Sequence, residues 1–288
     1  MNKTEILSLF AAAAQGRYAI GSFSPRNTVL IRSVLGAARA KQSPVMVQIS
    51  ANELNWFSLD ARTFANAYYA ALPDYGVTSV LHLDHTKDPE IVFQAIEAGF
   101  ESVMFDGSRL PYEENIRLTK EVAHYAHARN VCVEAELGSI GGADKLETAH
   151  DETMYTDPEQ AAEFARATGC DMLAVSVGTA HGVYPVKNPK IDFERLRDIR
   201  RRVDCVLVLH GGSGLPQETI HRAIAEGVGK INIATDLEIA FQKATGLGRM
   251  SNAETEALSA DILERAIQSV QALCEDRISD YLLSGGRR

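Results

Sequence analysis

The stretch Val206-Leu-Val-Leu-His-Gly-Gly-Ser-Gly214 ends an apolar run in a histidine and follows it at once with glycine. A neutral imidazole can offer one ring nitrogen to a divalent ion. Glycines, lacking Cβ, let backbone N–H groups close around an anion. A candidate metal ligand, His210, is thus adjacent to a candidate anion cradle, Gly211, Gly212 and Ser213. The theme recurs along the chain. Asp84 and His85 end one apolar run, Asp106 ends another, and Glu134 and Glu136 lie within a third. A further run leads into Gly-Thr-Ala-His181-Gly182, and the last into Asn232-Ile233-Ala234-Thr235-Asp236. Histidines from three separate strand ends can share one ion at about 2.0–2.1 Å and leave a position open for substrate, the layout of a catalytic rather than a structural zinc site.

Each residue also has a plainer reading. A histidine near a strand end is commonly a hydrogen-bonded core group. That suits His82, inside its strand, and His124, His127, His150 and His221, on helices or loops. It suits His85, His181 and His210 less well, because each adjoins a functional-looking loop. Asp106 and Glu136 could cap neighbouring helices, yet buried carboxylates need a partner or a cation. The segments 211–214 and 232–236 could be ordinary turns, but both fall where barrels hold phosphate on backbone amides and a helix N-terminus. Gly182 could add another amide. A metal beside a phosphate site suits chemistry next to the carbonyl of a phosphorylated ketose. Zinc would polarise the carbonyl, and a carboxylate would move protons at the far side of the bond being cut.

These residues need elements to place them, and the hydrophobic pattern supplies eight short runs: 18–23, 44–50, 79–85, 102–106, 131–137, 172–176, 206–209 and 230–233. Amphipathic helical stretches separate them, the first carrying Leu30, Val34, Ala37 and Ala38, the next ending near Pro73 and Gly76 after 61–72, others at 88–98, from Pro111, 157–168, 192–203 and 216–226. Alternation of this kind means a parallel sheet with right-handed crossovers. Eight units in about 235 residues suit an α/β fold of the closed (β/α)8 TIM-barrel type, and no G-x-G-x-x-G follows the first run to favour an open dinucleotide-binding sheet. A helix at 3–14 precedes the barrel as a lid, and 237–288 forms a C-terminal helical extension. With no repeat or low-complexity linker, residues 1–288 read as a single domain. The long polar segment 138–156 reads as a functional or mobile loop.

Composition narrows the partners. The chain is 288 residues, 45% hydrophobic and 23% charged, with formal charge -9. That charge argues against nucleic acid, which needs a basic face, but leaves room for a small phosphorylated substrate held by local amides and a metal. Cys132, Cys170, Cys205 and Cys274 are widely spaced and read as reduced thiols of a cytoplasmic protein. No signal peptide and no apolar run near 18 residues is present, so no membrane partner is expected.

Taken together, His-Leu-Asp-His85, Val-Glu-Ala-Glu-Leu-Gly138, Gly141-Gly142, Gly-Thr-Ala-His-Gly182, Leu-His-Gly-Gly-Ser-Gly214 and Lys-Ile-Asn-Ile-Ala-Thr235 resemble the class II, zinc-dependent ketose-bisphosphate aldolases, in particular their short tagatose-bisphosphate and fructose-bisphosphate branch. The resemblance runs from about residue 3 to 240. It implies Zn2+ on His85, His181 and His210, with Asp106 and Glu136 able to hold the metal in an alternative location, and Asp84 as the acid–base group at the C4 hydroxyl. It places Ser50 against substrate, and Gly182, Gly211, Gly212, Ser213, Asn232, Ile233, Ala234 and Thr235 around dihydroxyacetone phosphate. Asp144 aligns with a glutamate that takes the C3 proton, but is one methylene shorter. Two other departures are Ser24 in place of asparagine and Arg109 in place of histidine, and all three cluster where the aldehyde half would lie.

The expected reaction is reversible cleavage of a ketose 1,6-bisphosphate to dihydroxyacetone phosphate and an aldehyde such as glyceraldehyde 3-phosphate, by a homo-oligomer (dimer or tetramer). A monovalent cation is left open as a second ion. Alternatives are a zinc aldolase for another phosphorylated keto sugar or keto acid of the deoxy-keto-gluconate type, and a non-catalytic partner subunit. A Schiff-base aldolase has little support: Lys230 lies at the wrong end of its strand and Lys87 beyond its own.

Overall fold

The β-branched runs become strands because only a sheet satisfies their backbone groups while burying both faces. In a computed structural model describing residues 1–141, 155–186 and 188–287, eight parallel strands form a closed (β/α)8 barrel in chain order. They are β1 (Ile20–Phe23), β2 (Val45–Ser50), β3 (Ser79–Thr86), β4 (Ser102–Phe105), β5 (Cys132–Leu137), β6 (Met172–Val175), β7 (Val206–Leu209) and β8 (Val228–Ile233). The chain begins with helix α1 (Lys3–Gly16). The crossovers are α2 (Ile31–Lys41), α3 (Ala51–Trp56) and α4 (Ala61–Tyr75), α5 (Pro89–Ala98), α6 (Tyr112–His127), α7 (Pro158–Thr168), α8 (Phe193–Arg202) and α9 (Gln217–Ala225). After β8 come α10 (Thr235–Thr245), α11 (Asn252–Glu256), α12 (Ala260–Asp276) and a π-helical turn, Arg277–Tyr281.

Three elements depart from the sequence pattern. The short α3 is an extra helix that Ser50 starts through a capping box with Glu53. Helix α4 runs through Pro73 to Tyr75 and stops at Gly76, in the left-handed conformation at φ 59°; so near its end, the proline forfeits little hydrogen bonding. Strand β8 begins at Val228, which makes Lys230 a mid-strand residue rather than its first.

The barrel interior is layered. At the N-terminal end it is apolar: Ile20, Met46, Val80, Met104, Cys132, Met172 and Val208 pack against Ile6, Phe10 and Ala13 of α1. Helix α1 therefore seals the floor. Toward the C-terminal end β1, β2, β3, β5 and β8 turn inward Ser22, Gln48, His82, Asp84, Glu134, Lys230 and Asn232, all buried. Helix α12 lies between α10 and α2, packed against both, with the Ser33 hydroxyl donating to the Ile267 carbonyl at 3.0 Å.

Asp171, just before β6, ties the floor together. It accepts from His127 Nε2 at 2.8 Å, the Val133 N–H at 2.9 Å and Lys3 Nζ at 3.2 Å. Burial works to raise its pKa, but these donors hold the carboxyl below its ordinary value. A depressed folded-state pKa contributes stability above the unfolded value of about 4 and loses it as pH falls through the folded value. We expect Asp171→Asn to cost about 2 kcal/mol and lower the thermal midpoint by about 4 °C at neutral pH. Scanning calorimetry at a series of pH values checks this: the difference should shrink as the pH drops below about 4, and a constant difference would refute the assignment.

Candidate metal centre and active site

Three imidazoles meet at the C-terminal mouth of the barrel. His85 comes from the end of β3, His181 from the loop after β6, and His210 directly follows β7. His85 Nε2 lies 3.1 Å from His181 Nε2 and 2.7 Å from His210 Nδ1. One ring nitrogen can share only one proton, so hydrogen bonding satisfies one of these contacts and leaves the other unmet. A metal ion satisfies all three nitrogens together, and a neutral nitrogen trio is a zinc-type donor set. A second trio shares His85: its Nδ1 is 3.2 Å from Asp106 Oδ2 and 3.7 Å from Glu136 Oε2. Glu136 Oε2 is buried and has no hydrogen-bond partner among the described residues. An orphaned carboxylate oxygen beside the trio fits a cation as well.

The charges around His85 point the same way. Burial lowers its pKa, but the Asp84, Asp106 and Glu136 carboxylates override this and raise it to about 10. Asp106, although burial acts to raise it, is held below the ordinary carboxylate range by His85 and Ser108. Glu136 is pushed up to about 8 by burial and by Asp106. His181 is lowered to about 4 and His210 is also lowered, in each case by burial and then by His85. The carboxylates thus attract positive charge that the imidazoles, crowded together, cannot all carry. The backbone at His85 is itself strained, at φ 23°, where β3 slips register against β4 between Leu83 and Thr86. Strain of this kind persists where surrounding contacts over-determine it.

Below the imidazoles lies a polar network. His210 Nε2 donates to Glu134 Oε1 at 2.8 Å, which leaves Nδ1 to face His85. Glu134 Oε2 accepts from Lys230 Nζ at 2.7 Å, and Lys230 also donates to Asn232 Oδ1 at 2.8 Å. Glu134 and Lys230 are fully buried. His82, Asp84 and Glu134 also offer ligand atoms close together, but the Lys230 ammonium already supplies the cation there. Asp84, 5% exposed, accepts from Gln48 Nε2 at 2.8 Å and Asn232 Nδ2 at 3.1 Å. Two rigid amide donors therefore aim it into the mouth.

The loops after β7 and β8 close on each other. Ser213 Oγ accepts the N–H groups of Ala234 and Asp236, both at 3.2 Å, at the start of α10. Gly211 sits at φ 68°, where a Cβ would come within 2.3 Å of the Ala180 carbonyl oxygen. The Gly212 N–H donates to Asn232 O at 3.1 Å, and a Cβ there would meet Ile231 at 2.5 Å; this glycine lets the two loops touch. Tyr281, from the C-terminal turn, donates to the Gly212 and Leu215 carbonyls, and Arg277 holds Asp236 at 2.9 Å. The tail thus clamps both loops.

An open cavity of about 680 Å³ spans the mouth. Ser50, Asp84, His85, Asp106, Glu136, His181, Gly182, Ala234 and Thr235 line it, while Asn232 lies beneath. Ile233 faces outward into the core between barrel and helices, so only its backbone is available to the mouth, and its carbonyl accepts from the Ser24 N–H at 3.1 Å. Asp144 and Gly142 lie outside the described residues. Gln48, Glu53, Arg26 and the roles of Glu134 and Lys230 escaped the motif reading. The signal that could have found most of them is alternation: polar residues every second position in several strands mark an inward polar layer.

The family described as class-II fructose-bisphosphate aldolase matches residues 4–286. A fructose-bisphosphate aldolase of Geobacillus stearothermophilus is 39% identical over 246 residues, covering 85% of each chain. Among solved structures, the YdjI aldolase of Escherichia coli K12 superimposes with a TM-score of 0.83 at 32% identity, over 98% of each chain. A putative fructose-1,6-bisphosphate aldolase of Coccidioides immitis does so with the same score and identity, over 100% of this chain and 98% of that one.

Removing one partner of a buried ion pair leaves an uncompensated charge. Lys230→Met should therefore destabilise the protein by about 3 kcal/mol or more, measured by denaturant unfolding. An unchanged midpoint would show that Glu134 finds another partner.

Proposed function

The chain belongs to the class II fructose-bisphosphate aldolase family and is an aldolase, a carbon–carbon lyase; from that premise we propose that zinc on His85, His181 and His210 supports reversible cleavage of a C1-phosphorylated ketose of fructose or tagatose type to dihydroxyacetone phosphate and an aldehyde. The observation that carries this reading is the convergence of three imidazole nitrogens beside a single buried, doubly hydrogen-bonded carboxylate, Asp84. The family is metal-dependent, and an all-nitrogen set with one position open favours zinc over harder ions. When bound, the ion supplies Lewis acidity to the ketose carbonyl.

The chain's own groups do the rest. Asp84 takes the C4 hydroxyl proton as the C3–C4 bond breaks and returns it to the aldehyde oxygen in condensation. Gln48 and Asn232 hold both its oxygens, so its position does not drift between the two directions. The C1 phosphate lies against the loops after β7 and β8, where the Ser213 hydroxyl, Gly182, Gly211 and Gly212 and the first turn of α10, Ala234 and Thr235, come together. Asn232 and Ile233 set the base of that cradle. Asp106 and Glu136 offer the ion an alternative position on the other side of the His85 ring. In this reading Asp144 gives a proton to C3 after the C3–C4 bond breaks, and takes the C3 proton of dihydroxyacetone phosphate in condensation. A monovalent cation, assembly as a dimer or tetramer, and a cytoplasmic location are parts of the same proposal. A C6 phosphate, as in a 1,6-bisphosphate, would lie beyond Asp84, where the cavity has its own chemistry.

A catalytically silent partner subunit would have no use for Asp84, and activity of the purified chain alone separates the two readings. Dialysis against chelator should abolish cleavage and zinc should restore it. Asp84→Ala should keep the metal but lose about 10²–10⁴ in kcat, while His210→Ala should lose both metal and turnover. Undiminished activity in protein shown to be metal-free would end this proposal.

A further inference from the structure

We infer that the cavity beyond Asp84 is a specificity pocket for the aldehyde half of the substrate, and that its wall, built on Glu53, takes an uncharged hydroxyl-bearing fragment and disfavours one ending in phosphate. This rests on the reading above, that the site cleaves C1-phosphorylated ketoses.

The direction of the substrate follows from the fold. With the C1 phosphate at the β7 and β8 loops, the carbonyl by the imidazoles and the C4 hydroxyl at Asp84, the remaining carbons must continue past Asp84. The neighbour on the side away from the metal is β2, in which Ser50 is the register partner of Asp84. Ser50, Asn52, Glu53 and Trp56, with Arg26 from the turn after β1, line the cavity there.

Most polar groups of this wall already serve one another; Arg26 Nε, buried, makes no hydrogen bond and meets Glu53 only as an ion pair. Ser24 Oγ donates to Glu53 Oε1 and Oε2 at 2.9 and 2.8 Å. Ser50 gives Glu53 Oε2 its N–H at 3.0 Å and its hydroxyl at 3.2 Å. Arg26 Nε lies 3.0 Å from Glu53 Oε1, and its Nη1 pairs with Glu238. Arg249 Nη2 is 3.3 Å from Glu238 Oε1, and the guanidinium lies 4.5 Å over the Trp56 ring. Two arginines and two glutamates thus form a formally neutral set, with both serine hydroxyls turned to a carboxylate that is 5% exposed. Arg26 adopts φ 67° to join it, a left-handed conformation that a non-glycine residue takes only when its surroundings hold it there.

A terminal phosphate carries nearly two negative charges at neutral pH. Against this wall it would meet a shielded carboxylate and could gain Arg26 or Arg249 only by parting it from its partner. An uncharged fragment can lie against this wall without that cost. Arg109, on the turn after β4, and Lys87, after β3, line the same cavity from its Asp106 side, where both are exposed, and neither enters the hydrogen bonding of the Glu53 wall.

The test compares zinc-loaded full-length protein on D-fructose 1-phosphate and D-fructose 1,6-bisphosphate, with the tagatose pair in parallel. The monophosphate should have a kcat/KM about tenfold or more above the bisphosphate. Glu53→Gln keeps an acceptor for the α3 capping box and should shift that ratio about tenfold toward the bisphosphate. Preference for the bisphosphate in the wild type, or an unmoved ratio in the variant, overturns the inference. Should the variant fail to fold, wild-type competition of glyceraldehyde against glyceraldehyde 3-phosphate for dihydroxyacetone phosphate decides, and predominant bisphosphate product overturns it. If no ketose phosphate is cleaved or formed with zinc, the proposed function itself falls and takes this inference with it. Preference for the bisphosphate sinks this inference alone.

Discussion

The ammonium of Lys230 and the carboxylate of Glu134 lie 2.7 Å apart with no solvent exposure, and the catalytic end of the barrel depends on that contact. Two charges taken out of water are stable only while each has its partner and its remaining hydrogen bonds. Glu134 uses its second oxygen to hold His210, and Lys230 uses another proton to hold Asn232. Asn232 in turn holds Asp84. A chain of short polar contacts thus runs from the barrel interior to Asp84, the proposed acid–base group, and to an imidazole of the proposed metal site. Replacing the pair by apolar residues could fill the space equally well, but it would leave His210 free to turn.

Such a layer survives inside a barrel because it is sealed from both ends. The floor is closed by α1, whose Ile6 and Phe10 complete an apolar plug, and Asp171 fastens that helix to the strands above it. At the mouth, the C-terminal turn reaches back so that Tyr281 and Arg277 brace the loops after β7 and β8. Tyr281 and Arg277 therefore belong to the active end of the molecule in a mechanical sense, although neither lines the cavity. Rigidity at the rim lets the His85 backbone remain strained and its ring remain aimed.

Much of this was legible in the residues. Eight apolar runs separated by amphipathic helices dictate a parallel closed sheet, and His85, His181 and His210 stand at strand ends because histidine follows each run or its loop. Less could be read where an element is made by side chains rather than by pattern. The short α3 exists because Ser50 and Glu53 cap each other, and α4 continues through Pro73 because a proline in a last turn has little hydrogen bonding left to break. Strand β8 starts two residues before the apolar run at 230–233, with Gly229 inside it, and this puts Lys230 in mid-strand.

By itself the sequence determined which chemical groups arrive at the mouth of the barrel: in a parallel sheet with right-handed crossovers every strand ends on the same face, so residues ending each run are neighbours whatever their separation in the chain. Only the tertiary structure decided which atom of each group meets which. That His210 turns Nδ1 toward His85, that Glu134 finds Lys230 from 96 residues away, and that Glu53 gathers both Ser24 and Ser50 depend on strand register and on rotamers set by packing. Those are properties of contacts between strands and loops, and no single segment carries them.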